Sequence, residues 1–125
     1  MDDSIFQRIM DILADILPVK WERLVYRADY TEGSYSMKYY VDLGDKKYTD
    51  CFKLGTPSKS QILATFRKLN TIIAPDRQAL SSKEKWSVMT IKIESSGKFK
   101  ADFDYTDISE RPISYQESWE KKYLN

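Results

Sequence analysis

The chain predicts an α+β fold: one domain over residues 1–125, about five antiparallel strands, and helices packed on one face. Three observations lead there. Apolar residues recur at helical spacing in two stretches, near the start and in the middle. Five short runs alternate apolar and polar residues with period two. Short polar turns around Gly33, Leu43–Lys46 and Ser95–Lys98 join those runs as hairpins.

The first helix covers residues 4–17. Ile5, Ile9, Ile12 or Leu13, and Ile16 recur every three to four residues, and Phe6, Met10 and Leu17 widen the stripe. Asp3 or Ser4 can cap it, and Pro18 helps to stop it. A strand over 20–31 follows, with Leu24, Tyr26, Ala28 and Tyr30 alternating with Arg23, Val25, Arg27 and Asp29. The next, 35–42, sets Tyr35, Met37, Tyr39 and Val41 against Ser36, Lys38, Tyr40 and Asp42. A third strand covers 47–53. Ser58 and Gln61 then form a capping box. Ile62, Phe66, Leu69 and Ile73 carry a helix to about residue 73, where Ala74-Pro75 ends it. Residues 76–85 are polar and fit a loop or a short helix equally well.

Strands over 86–94 and 99–105 make a second hairpin. Met89, Ile91 and Ile93 share one face of the former, and Phe99, Ala101, Phe103 and Tyr105 alternate with Lys100, Asp102 and Asp104 in the latter. Ser114 and Glu117 form another capping box, and Tyr115, Trp119 and Tyr123 line one side of a short terminal helix. The clean alternation predicts one wet face per strand, with the apolar stripes of the first two helices covering the dry one.

At 125 residues, 42% hydrophobic and 31% charged, the chain reads as one soluble globular domain. It has no run of the roughly 18 apolar residues a membrane helix needs. Met1-Asp2-Asp3 places acids where a signal peptide wants cations, so a cytoplasmic location is expected. The chain has no histidine, which removes Ser-His-Asp and Cys-His catalysis and HExxH zinc sites. Its one cysteine, Cys51, permits no internal disulfide and reads as a buried inert thiol. The four glycines are scattered, so neither a dinucleotide fingerprint nor a P-loop is present. No cofactor, metal or catalytic residue is assigned.

The net charge of +1 is uneven: −3 over residues 1–19, +7 over 20–100 and −3 over 101–125. Such polarity can steer a charged partner, although a mixed solvated surface has the same composition.

Three groups compete for a functional role. Asp102 and Asp104 point the same way on a strand, and Asp107 can join them from the next loop. The trio reads as a solvated edge, a patch for a cationic partner, or a divalent-metal site. In Gly97–Phe103, lysines alternate with aromatics and share their face with aspartates, which argues against direct nucleic-acid binding. The sheet is rich in tyrosine. Tyr40 lies opposite Tyr39, so one of the two should be exposed as an interface anchor.

Trp86–Glu94, Ser96–Lys100 and Asp102–Asp107 together resemble the YezG-like antitoxin family. The ending Trp119–Leu124 is similar to that family's W-x-x-K-Y-L, and Pro18 with Trp21 to its P-x-x-W after the first helix. The resemblance covers most of the chain and is weakest over 43–85. It implies a bacterial immunity protein without enzymatic activity. Family members sit beside secreted toxins, often LXG toxins exported by type VII secretion, and bind the toxin's C-terminal domain, commonly a nuclease. On that footing Asp102, Asp104, Tyr105, Asp107 and Tyr40 are the candidate partner-binding residues. Trp21, Phe99, Phe103, Trp119 and Tyr123 mark the fold. The net charge of +1 is unlike DNA mimicry, and the acidic segment 101–120 is its local substitute. Two other readings are a binding or scaffold domain with another protein partner and an Asp-based metal-dependent hydrolase.

Overall fold

The computed structural model describes residues 1–18 and 20–125; Val19, within the P-x-x-W stretch, lies outside them. The backbone sorts into a helical unit and a sheet unit.

In the helical unit, α1 (Asp3–Ala14) is capped by Asp2, one residue earlier than expected, whose carboxylate accepts from the Ile5 amide at 3.1 Å. Phe6, Ile9 and Leu13 form its buried stripe. Helix α2 (Lys59–Gln78) begins with the expected capping box: the Gln61 amide donates to Ser58 Oγ and the Ser58 amide to Gln61 Oε1. Ile62, Phe66, Leu69 and Ile73 are buried along it, and α1 packs against α2. The helix does not stop at Ala74-Pro75. It runs through Pro75 for three more residues, and the Ala79 amide still finds the Pro75 carbonyl at 3.2 Å. Proline loses its own N–H bond and crowds the carbonyl four residues back, but the amides after it keep theirs, so the last turn can still form.

The sheet unit holds β1 (Arg23–Thr31), β2 (Ser34–Asp42), β3 (Thr49–Asp50), β4 (Val88–Glu94), β5 (Phe99–Asp104) and α3 (Pro112–Tyr123). All pairings are antiparallel, in the order β3-β2-β1-β4-β5. Two hairpins, β1–β2 and β4–β5, therefore meet along β1 and β4. Gly33 turns the first hairpin with φ +77° and Gly97 the second with φ +99°, a region open to glycine at little cost. The third strand is shorter than the predicted 47–53. After Thr49–Asp50 the chain enters a 3-10 turn, Cys51–Lys53, in which Cys51 is buried.

Strand β1 is buried on both faces rather than one. Leu24, Tyr26 and Ala28 are inaccessible, as the alternation predicts, but Val25 and Arg27 on the other face are buried too. Helix α3 lies on that second face and removes its water. It starts at Pro112 rather than at the Ser114 box; Arg111 precedes it with no side-chain cap, and proline's fixed φ suits the first helical position.

Candidate functional site

The face of the sheet under α3 carries Val25, Arg27 and Asp29 on β1, Lys38 and Tyr40 on β2, Thr90 and Lys92 on β4, and Lys100, Asp102 and Asp104 on β5. The pairings Arg27↔Lys38, Arg27↔Thr90 and Thr90↔Asp102 place them side by side. Helix α3 answers with Tyr115, Trp119 and Tyr123, one turn apart on one side. Each makes a polar bond to the sheet. The Tyr115 hydroxyl donates to Asp104 Oδ2 at 2.8 Å, Trp119 Nε1 to Thr90 Oγ1 at 2.9 Å, and the Tyr123 hydroxyl to Asp102 Oδ2 at 3.0 Å. Between these bonds Val25, Tyr40, Trp119 and Tyr123 close a small apolar core, with Tyr48, Tyr115 and Leu124 at its margin.

Arg27 sits at the centre of this seat. Its Nε and Nη2 donate to the two Asp29 oxygens at 2.6 and 2.9 Å, and Nη1 donates to Gln116 Oε1 at 2.6 Å. Its guanidinium lies over the rings of Tyr115 and Trp119, at 5.2 and 4.9 Å from their centroids. A buried cation is tolerable when its donors are met this way.

The same bonds set the acidities. Burial alone would raise the Asp104 carboxyl, but donors from the Thr106 hydroxyl and amide and from Tyr115 outweigh it and hold the group below the usual range. Tyr115 moves up, by burial first and then by the Asp104 carboxylate it serves. Tyr123 is pushed up to about 12, again by burial and then by Asp102.

Beyond β5 the chain makes a loop before α3. Asp104 Oδ1 accepts from the Thr106 amide and hydroxyl at 2.9 and 2.7 Å, and Ser87 Oγ donates to the Thr106 carbonyl at 2.6 Å. Asp107 Oδ1 accepts from the Ser109 amide and hydroxyl, which lowers its pKa. Ile108 is buried beneath the loop. Above it, Tyr105 is 59% exposed and Ile113, at the start of α3, 75% exposed.

The five candidate residues therefore separate. Asp102 and Asp104 do point the same way, but toward α3, each with an oxygen taken by a tyrosine. Asp107 stays in its own loop and shares no hydrogen bond with them. Among the described residues no three of Asp, Glu, Cys or His converge as metal ligands would. Tyr105 projects outward. Tyr40 is a correction: both it and Tyr39 are buried, because Trp119 covers Tyr40 with ring centroids 5.5 Å apart. Phe99, read as a fold marker, is 40% exposed, whereas Phe103 packs on Trp86 at 5.7 Å. Sequence reasoning missed Arg27, Thr90 and Gln116. The signal was the i, i+4, i+8 aromatic row, which needed a polar sheet face as its counterpart.

The family model described as Immunity protein YezG-like matches residues 3–125. The chain belongs to the YezG-like immunity protein family. Immunity protein YezG of Bacillus spizizenii is 19% identical over 112 residues, an alignment covering 84% of this chain and 69% of that relative. The stretches that carried the resemblance can now be read structurally. Trp119 and Tyr123 of the closing motif, with Thr90, Asp102 and Asp104 of the strands, are among the residues that bind α3 to the sheet. Lys122 of the same motif lies over the Tyr123 ring at 5.2 Å.

Proposed function

We propose that this protein neutralises a secreted bacterial toxin by forming a stoichiometric complex with the toxin's C-terminal domain, a nuclease, inside the producing cell. Membership of an immunity family over nearly the whole chain carries this reading. The geometry supports it in one respect. An inhibitor that acts by occupancy needs a surface held still, because every side chain ordered on binding costs about 0.5–1.5 kcal/mol. The loop after β5 is pinned at Asp104, Thr106 and Asp107 and backed by α3; it presents Tyr105 outward, and the first turn of α3 presents Ile113. An aromatic anchor on a hydrogen-bonded loop and an aliphatic one on the helix that follows, with the Asp107 carboxylate alongside, suit a cationic protein surface. Asp102 and Asp104 act in this scheme as the loop's foundation rather than as contacts.

The experiment is co-expression with the toxin domain encoded beside the gene. Rescue of growth and a stable complex are expected from the wild type. Tyr105→Ala with Asp107→Asn, which removes the charge but keeps an Oδ1 acceptor for the Ser109 amide and hydroxyl, should weaken the complex at least about tenfold while leaving stability to urea within about 0.5 kcal/mol of the wild type's, as for exposed positions in general. Undiminished binding by that variant would remove the loop from the interface. Absence of both rescue and complex, with the cognate toxin and a panel of related ones, would overturn the reading itself.

A further inference from the structure

We propose that a second surface, a cleft at the β4–β5 turn end of the sheet, docks a carboxylate-rich segment of a protein partner. The cleft measures about 420 Å³ and is lined by Arg23, Tyr48, Lys92, Lys98, Phe99 and Lys100, with Glu94 its one acid. The argument begins with charge pairing. Elsewhere on this face charges meet a partner from the protein's own fold: Arg23 pairs with Asp42, Arg27 with Asp29 and Lys38 with Asp50. Asp102 and Asp104 accept tyrosine hydroxyls. At the turn end of the sheet Lys92, Lys98 and Lys100 are not paired in this way, nor is Glu94 beside them. None of the three lysines makes an ion pair among the described residues, and all three are exposed.

Two of these lysines are moreover placed against each other. Lys92 and Lys100 are direct partners across β4 and β5. Like charges in that position destabilise a sheet, and a local rule broken without compensation is a mark of function. Two aromatic rings flank the lysines. Tyr48 is held by the Arg23 guanidinium 4.6 Å above it, and Phe99 is 40% exposed. Three unpaired cations with apolar walls fit a short run of carboxylates.

A nucleic acid fits less well. The lysine row is short and passes directly into Asp102 and Asp104, with Glu94 on the rim, so an extended phosphate backbone would meet carboxylates on either side. The net charge of +1 gives no broader attraction. The proposal rests on the toxin reading only in naming the toxin as the protein that supplies the segment.

The test uses the full chain. An octapeptide of alternating glutamate and serine, its glutamine counterpart, and an oligothymidylate of equal length are titrated while backbone amide NMR signals are followed. The glutamate peptide should shift Lys92, Lys98, Phe99 and Lys100, and its binding should weaken at least about tenfold between about 50 and 300 mM salt. Lys92→Gln/Lys98→Gln/Lys100→Gln should lose that binding with an unchanged circular dichroism spectrum. The proposal is overturned if the glutamine peptide binds as well, if the oligonucleotide binds more tightly, or if the shifts fall elsewhere. The same variant is then offered to the toxin domain. If it binds as tightly as the wild type, the cleft lies outside the interface and the proposal fails while the toxin reading stands. If the wild type binds no toxin but does bind the glutamate peptide, the toxin reading fails and the cleft stands as an acidic-segment site.

Discussion

Replacing Arg27 with methionine tests the account of how α3 is held. Methionine keeps the length and much of the volume of arginine but removes the fork. Its loss strands Asp29, whose two oxygens both accept from Arg27, and leaves Gln116 Oε1 without its donor. Removing one member of a buried pair costs about 3–5 kcal/mol, mainly through the charge left behind. The Asp29 side chain keeps 18% of its surface in water, so the lower end applies, about 3 kcal/mol. The two ring contacts add roughly 0.5–1 kcal/mol each, and packing by methionine returns part of that. The expected loss is about 3–4 kcal/mol, a large share of the 5–15 kcal/mol typical of a domain. Urea unfolding followed by tryptophan fluorescence measures it. The decisive comparison is Arg27→Met/Asp29→Leu, which removes the orphaned carboxylate as well and should be less destabilised than the single variant. A single variant within about 0.5 kcal/mol of wild type would refute the reasoning, and so would a double variant whose loss equals the sum of its parts.

Two further outcomes follow from the same face. Tyr115 and Tyr123 are raised above the value of about 10 for a free tyrosine, Tyr123 to about 12. Above pH 10 the unfolded chain therefore holds fewer protons than the folded one. The stability linked to these shifts, which come from burial first and the carboxylate bonds second, is complete below about pH 10 and falls by about 1.4 kcal/mol per pH unit for each tyrosine until the folded group titrates. Urea midpoints at rising pH should fall more steeply for the wild type than for Tyr115→Phe/Tyr123→Phe, and identical slopes would contradict the assignment. Lys100→Glu should raise stability by about 0.2–1 kcal/mol by turning a repulsive cross-strand pair into an attractive one; thermal unfolding at low salt reads the sign.

The α+β class, the two hairpins and the five strands could be read from the chain because each strand is short, alternating and bounded by a turn. Leu24, Tyr26 and Ala28 announce one buried face without help from elsewhere. What alternation does not report is a second cover. Val25, Arg27, Tyr40 and Thr90 have the pattern of a wet face and are buried only because α3, some hundred residues after the first of them, returns to lie on it. That single long-range event also decides the fate of Tyr40, Asp102 and Asp104. Pro75 and the short β3 failed for the opposite reason: local signals were read as decisive where packing was. Ile73 is wholly buried just before Pro75, and Cys51 is buried just after two residues of strand.

On the proposed reading, the distribution of satisfied and unsatisfied charge separates the residues that build this protein from those left to recognise another. Asp102 and Asp104 looked like contacts because they are acidic, adjacent and on one face, yet tyrosines of α3 already use them. Lys92, Lys98 and Lys100, and the Tyr105–Asp107 loop, keep bonding capacity or apolar surface that the fold does not consume. Both sets border β5, one at its start and one just past its end. Lys100 and Tyr105 are five residues apart, roughly 17 Å at the rise of a strand. A standard interface covers roughly 800 Å² per partner, a patch some 30 Å across. On the proposed reading, one toxin domain of ordinary size is large enough to reach both. Sites more than about 10 Å apart without shared partners act independently. Charge removal at the lysines and truncation at Tyr105 should then add in binding free energy, measured by calorimetry on the toxin complex. Strong coupling between them would mean that the two ends of β5 communicate through α3, and would return Asp102 and Asp104 to the interface.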